Sequence, residues 1–303
     1  MINLSTGAFY ESATRQIENL RARANDLQSQ IGSGERLSKS SDDPVAAARL
    51  RTLSRNERLA EIDTVNSNRA MNDLKFTDSA LTSMADIVIR AKELAGLAAN
   101  GTTSAEQRAT IGIEIADLRQ ALLVVANSRN GSGHALFGGE SPGMAYAESG
   151  GAISYIGTAE TVPVELGEDQ RVIPGLTGPE VLSFEYGGAA TDMFAVLGNL
   201  AAALQGGVPD PGASANEALN ELDAGLSRIA TSQTIVGGRM NWIDLMDARR
   251  EANGELMADE KTSIGGADPA TTILRLQEAM TVLEASQASF VKLAGISLFN
   301  IIR

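Results

Sequence analysis

Apolar residues recur near the start of the chain at Ile17, Leu20, Ala24, Leu27 and Ile31, alternately three and four apart. That spacing is the seam of a coiled coil and predicts a helix over residues 5–31. Gly32 and Gly34 follow, and their backbone freedom suits a helix exit. The polar run Ser38-Lys39-Ser40-Ser41-Asp42-Asp43 then leads to Pro44. Either aspartate can cap the next helix, with Pro44 in its first turn, where a missing N–H is no loss. A long helix is predicted over residues 45–99, which hold no proline or glycine before Gly96. Its stripe runs through Leu74, Leu81, Met84, Val88, Ala91 and Ala95. Such a helix would extend about 80 Å and needs a partner along its length. Ser104 and Gln107 have capping-box spacing ahead of a further helix to about residue 127, striped by Ile111, Ile115, Leu118, Leu122 and Val125.

After Arg129 the helical period stops. Glycines cluster between positions 131 and 157, and short β-prone runs appear at 152–156, 162–166 and 181–186. They predict strands separated by turns in an antiparallel arrangement. Helical pattern returns over 192–205, 214–230 and 232–261, the last with Gly237-Gly238 as a soft point. A final helix over 269–293 carries a second seam of Leu276, Met280, Leu283, Gln287, Phe290 and Ala294. The predicted fold class is mainly α, with a small antiparallel β-rich insertion. The N- and C-terminal regions would form a long antiparallel helical bundle or coiled coil. The expected segments are an N-terminal assembly helix and turn (1–44), one half of a helical stem (45–130), an outward-facing β insertion (131–191), the other half of the stem (192–268) and a C-terminal assembly helix (269–303). Both seams lie at chain ends, where an ordinary monomeric domain frays. This marks Ile17, Leu20, Leu27, Ile31, Leu276, Met280, Leu283 and Phe290 as candidate assembly-interface residues.

Composition sharpens this picture. The chain is 43% hydrophobic but only 4% aromatic, so it can form a core yet has few bulky side chains to wall off a deep substrate pocket. Long helices packed through small residues use such a composition readily. The formal net charge of −13 opposes contact with phosphate backbones, so nucleic acid is not an expected partner. Through residue 58, nine basic residues slightly outnumber seven acidic ones, whereas 140–192 holds nine acidic residues against Arg171 alone. No cysteine is present, which excludes disulfides and thiolate chemistry. No apolar run is long enough to predict membrane insertion. The opening MINLSTGAFYESATRQ lacks the basic start and apolar run of a secretory signal, which by itself predicts a cytoplasmic protein but leaves room for a dedicated exporter.

Catalytic chemistry finds no constellation. His134 is the sole histidine, so a histidine metal cluster is excluded, and beside Ser132 it still lacks an orienting carboxylate. Asp42-Asp43 in a serine-rich turn reads as a cap, and the glycine-rich stretches carry no phosphate-loop pattern. No enzyme activity, cofactor or metal is expected.

Ile2-Asn3, then Ser33-Gly34-Glu35-Arg36-Leu37 and Ser41-Asp42-Asp43-Pro44-Val45-Ala46, are together similar to the N-terminal signature of the bacterial flagellin family. Glu93-Leu94-Ala95-Gly96-Leu97-Ala98-Ala99-Asn100-Gly101-Thr102 is similar to its E-L-A-x-Q-A-x-N-G-T stretch, without the glutamine. Residues 130–139, Asn-Gly-Ser-Gly-His-Ala-Leu-Phe-Gly-Gly, resemble a motif of the hook–filament junction branch, with Ala135 in place of an aromatic. The tail over 294–303 resembles that branch too, while its terminal Arg303 resembles filament flagellins. The resemblance implies a secreted structural subunit of the flagellum, exported by a type III route and joining hook to filament through terminal coiled coils that order on assembly. Filament flagellin and a surface-adhesion module using the β insertion are the alternatives. The implied partners are copies of the chain itself, a neighbouring hook-associated protein, flagellin or filament-side junction subunits, and an export chaperone.

Overall fold

The computed structural model describes the backbone of residues 2–301 and the side chains of residue 8 and residues 10–293. Ala294 and the tail motif over 294–303 lie outside those described side chains, as do Ile2 and Asn3. Helix α1 spans Ile2–Ser33, α2 Pro44–Ala99 and α3 Ala105–Ala126. Strands β1 (Tyr146–Ser149), β2 (Ala152–Tyr155), β3 (Val164–Gly167) and β4 (Gln170–Val172) follow. A short α4 (Gly178–Leu182) precedes β5 (Ser183–Tyr186), β6 (Ala189–Asp192) and α5 (Met193–Ala202). A π-helical turn at Ala203–Gly207 leads to α6 (Pro211–Gly265) and α7 (Pro269–Ile301). The protein is thus mainly helical with a small antiparallel β component, as the hydrophobic pattern predicts. The chain divides into two compact units, one of Met1–Arg58 with Ala252–Arg303 and the other of Leu59–Glu251.

The unit of Leu59–Glu251 has a complete core. Leu74, Leu81, Met84, Val88, Ala91 and Ala95 of the predicted α2 stripe are all fully buried. Ile115 and Leu122 of α3, Leu197 and Leu200 of α5, and Leu222, Ile229, Val236 and Ile243 of α6 close around them. Gly112 lets α3 approach α5 closely, because a Cβ there would stand 3.0 Å from the Ala201 carbonyl oxygen. Ser104 and Gln107 form the predicted capping box, with reciprocal bonds of 2.9 and 3.2 Å.

Two expectations about this unit need correction. Residues 214–230 and 232–261 belong to one uninterrupted helix, α6. Gly237-Gly238 does not break it, because Ile229, Ser232, Val236 and Ile243 keep one continuous buried face across that point. The predicted strand at 181–186 begins in helix: Val181 and Leu182 close α4, whose capping box joins Thr177 and Glu180, and only Ser183–Tyr186 is extended. The β component is three separate hairpins, β1–β2, β3–β4 and β5–β6, with no shared sheet. The turn-side strands β1, β4 and β6 carry too few β-branched residues to be read from pattern alone.

Such isolated hairpins are marginal by themselves and need docking to the helices. Asn127, just after α3, acts as a substitute strand: its Oδ1 accepts from Ala145 N and Tyr146 N, and its Nδ2 donates to the Tyr146 carbonyl at 3.0 Å. Arg119 donates to the carbonyls of Phe194 and Gly151, tying α3 to α5 and the β1–β2 turn. The glycine-rich stretch at 130–139 is a turn in which Asn130 Oδ1 accepts from Ser132 N and His134 N. It delivers Phe137 into the core with no exposed surface, and the Phe137 carbonyl accepts from Gly178 N at 2.8 Å. Gly139 has φ +66° and leaves no space for a side chain, since a Cβ would lie 2.4 Å from Thr158 Oγ1. His134 itself is exposed, as a turn residue should be. Phe137→Ala is therefore expected to lower the unfolding free energy by about 3–5 kcal/mol. Chemical denaturation measures this, whereas His134→Ala should change it by less than about 0.5 kcal/mol.

Candidate assembly surface

The unit of Met1–Arg58 and Ala252–Arg303 is organised by α1 and α7, which run antiparallel: Tyr10 stacks edge-on against Phe290 at 5.6 Å between ring centroids, and Glu35 bridges to Gly266 at the other end. On α1, Ala13, Ile17, Leu20, Ala24, Leu27 and Ile31 turn toward the pair, with Leu27 the most enclosed at 8% exposure. On α7 the facing positions are Thr272, Leu276, Ala279, Leu283, Ser286 and Phe290. Both series step by four and three, the coiled-coil repeat. The pair therefore brings together Ile17, Leu20, Leu27, Ile31, Leu276, Leu283 and Phe290. It does not include Met280, which is 48% exposed while its neighbour Ala279 is 7% exposed. The sequence seam takes a step of four after Leu276 and after Leu283, which selects Met280 and Gln287; the structure takes a step of three there, which turns Ala279 and Ser286 inward. A small residue fits where two helices approach closely.

The seam is incompletely covered. Apart from Leu27, Thr272 and Ala279, its residues remain half-buried, and a groove of about 370 Å³ lies between the helices, lined by Gln16, Ile17, Val282, Ser286 and Phe290. Outside the seam, α7 exposes Ile273, Leu274, Met280, Val282, Val291 and Leu293, with Val291 at 69%. Ile273, Met280 and Val291 lie on one flank of the seam and Val282 with Leu293 on the other, so apolar surface is left open on both sides of it.

The base of the pair is fixed by polar contacts. Arg36 N donates to the Gly265 carbonyl at 2.7 Å and Ala267 N to the Gly34 carbonyl at 2.9 Å, crossing the two chain segments. Gly34 adopts φ +73°, which closes α1 as its position predicts. Asp43 Oδ1 accepts from Ala46 N and caps α2, while Asp42 Oδ2 turns back to Ser38 N and Lys39 N. Both aspartates are thus structural, in different roles. Arg49 makes a two-pronged contact with Glu260 at 2.6 and 2.7 Å, and Lys261 meets Glu57 at 2.8 Å. Asp268 caps α7 through Ala270 N and Thr271 N.

Three of these carboxyls sit below their ordinary range. Asp42 is lowered chiefly by the Lys39 backbone hydrogen bond, Glu260 by the Arg49 hydrogen bond and Asp268 by the Thr271 hydroxyl. Among the described residues no group of three or more acidic, histidine or cysteine side chains is placed to hold a metal ion. No described helix is long and apolar enough to cross a membrane.

Comparison with known proteins agrees with this geometry. A family profile, the bacterial flagellin N-terminal helical region, matches residues 4–141. Flagellar hook-associated protein 3 of Escherichia coli K12 is 27% identical, over 99% of both chains. The Salmonella typhimurium protein of the same name is 22% identical over the full length of both. Residues 4–141 thus carry the helical region of the bacterial flagellins, and the whole chain is similar to flagellar hook-associated protein 3. The general role this supports is that of a structural subunit of the bacterial flagellum. Among solved structures, a flagellar hook-associated protein from Vibrio parahaemolyticus superposes with a TM-score of 0.69 at 23% identity, covering 74% of this chain and 100% of that one. Hook-associated protein 3 from Legionella pneumophila gives 0.65 at 14%, covering 71% and 98%. Both share the fold.

The lowered carboxyls of this chain give a signed pH dependence. A group depressed on folding stabilises the fold above its ordinary value, 3.8 for Asp42 and Asp268 and 4.5 for Glu260, and loses that contribution as pH falls through the folded value. Acidification below about pH 4.5 should therefore weaken the α1–α7 unit, read by far-UV circular dichroism. The triple variant Asp42→Asn, Glu260→Gln, Asp268→Asn should start less stable at neutral pH and lose less on acidification.

Proposed function

We propose that this chain is the subunit that joins the flagellar hook to the filament, polymerising side by side through α1 and α7. The observation that carries this reading is the half-covered seam together with the exposed apolar flanks of α7. A neighbouring copy supplies the missing cover, so ordering of the helix pair is coupled to assembly. Ile17, Leu20, Leu27, Ile31, Leu276, Leu283 and Phe290 set the pair, and Met280 with Val291 meets the neighbour. Supporting the junction over the filament is the extent of similarity: hook-associated protein 3 aligns over 99% of both chains, whereas Flagellin A of Vibrio cholerae aligns over 62% of this chain and 45% of its own length. On the same reading the chain leaves the cell through the flagellar exporter with a chaperone shielding the seam, and meets a hook-associated protein on one side and filament-side subunits on the other.

Immunogold electron microscopy of intact flagella tests the location. Labelling confined to a short band at the hook's outer end is expected, whereas labelling along the filament would make the chain a filament flagellin. Leu27→Asp and Phe290→Asp each test the mechanism. Both should leave the Leu59–Glu251 unit folded by near-UV circular dichroism and abolish motility in a strain that depends on this chain; normal motility would remove α1–α7 packing as the basis of joining.

A further inference from the structure

The turn that carries Phe137 into the core begins with an asparagine followed by a glycine, and the fold surrounds that pair with reactive geometry. Asn130 Oδ1 accepts from Ser132 N and His134 N, each at 3.0 Å, so two backbone donors converge on one amide oxygen. The bond to Ser132 N, one peptide beyond Gly131, folds the Asn130 side chain over the Gly131 amide. Gly131 N has no acceptor among the described residues, and nothing lies within 4 Å of where a Cβ would stand on Gly131. Two N–H donors fix their end of the Asn130 amide as the oxygen, which leaves Nδ2 for the Asp73 carboxyl of α2. Burial raises the pKa of Asp73, while the hydrogen bond from Asn130 and the charges of Arg69 and His134 act to lower it. Asn130 and Asp73 are half-buried, whereas Gly131, Ser132 and His134 are open to water.

We infer that Asn130–Gly131 is a self-modifying site, at which the folded chain speeds the conversion of Asn130 to aspartate and isoaspartate. Gly131 N attacks Asn130 Cγ, and the oxygen of the tetrahedral intermediate stays on its two donors, which are placed where negative charge develops. Asp73 gives a proton to Nδ2 as general acid. The Cγ–Nδ2 bond then breaks, its electron pair leaves with ammonia, and the Gly131 amide proton passes to water. The product is a succinimide ring. Water, the sole other reactant, opens it at either carbonyl to leave aspartate or isoaspartate. Aspartate at this position sets a second carboxylate against Asp73 where an amide donor stood. Isoaspartate adds a carbon to the backbone of the turn that holds Phe137. Both products loosen the same point of the Leu59–Glu251 unit.

Asn100–Gly101 is the internal comparison. Its Oδ1 also accepts two bonds, from Thr102 N at 3.1 Å and Thr102 Oγ1 at 3.0 Å, but no carboxyl is paired with its amide among the described residues. The full chain is incubated at neutral pH, native and in guanidinium chloride, and conversion at each asparagine is followed by peptide mass spectrometry. Native Asn130 should convert about tenfold or more faster than native Asn100 and than Asn130 of the unfolded chain. Slower conversion in the native chain than in the unfolded one means that the turn protects its amide, and overturns the inference. Asp73→Asn removes the proton donor and should slow Asn130 by about tenfold while leaving Asn100 unchanged. Conversion as fast as in the wild type overturns the inference. Gly131→Val gives an arm that leaves Asp73 and both donors in place, and the open setting accommodates it. Its branched side chain crowds the attacking nitrogen and should suppress conversion at Asn130 alone; an unchanged rate overturns attack by that nitrogen and the inference with it.

Discussion

Two helices lying side by side can each hide one stripe and no more, and this limit governs the unit that holds both chain ends. Its seam residues step by three and four, yet most of them stay half-buried. In the Leu59–Glu251 unit the same kind of spacing gives full burial, since α2, α3, α5 and α6 close around one another. Helix propensity contributes little net stability in either place. What differs is the number of covering faces. The core of one unit is closed among the described residues, while the seam of the other is left partly open.

The polar contacts at the base of the helix pair follow from that limit. Loose packing alone would let α1 and α7 slide by a turn, since a heptad seam accepts shifted registers. The exchange between Gly34–Arg36 and Gly265–Ala267 fixes the register at one end, and Asp268 fixes where α7 begins. The Tyr10–Phe290 edge contact sets it farther along. The apolar positions are thus presented in a defined order even where they are only partly covered. These anchors use backbone amides and exposed carboxylates, which is the basis of the expected sensitivity of this unit to low pH.

Much of this was legible in the amino-acid sequence because it depends on periodicity and caps. The α2 stripe, the Ser104–Gln107 box and the α1 seam all rest on local spacing, and local spacing survives folding unchanged. The failures have a common physical source in tertiary packing. The pattern divided α6 between residues 230 and 232 and made Gly237-Gly238 a soft point, but the buried residues there keep the helix continuous. Met280 looked like a seam residue by spacing, but closely approached helices select Ala279. The three hairpins were only half visible; β1, for one, is held by Asn127 and its turn by Arg119 more than by its own residue types. The turn at 130–139 was recognisable as a motif, while its work of carrying Phe137 into the core depends on contacts with residues far along the chain.

Met1–Arg58 with Ala252–Arg303 holds 13 basic and 13 acidic residues, whereas Leu59–Glu251 holds 12 basic and 25 acidic. The division of charge thus coincides with the division of packing. A neutral, incompletely covered helix pair can be drawn close to its copies without long-range repulsion, so apolar burial decides its association. An acidic, self-sufficient unit resists indiscriminate contact and arrives with its surface already ordered. Contacts made by a pre-ordered surface avoid the entropy of folding, whereas those made by the helix pair must overcome it.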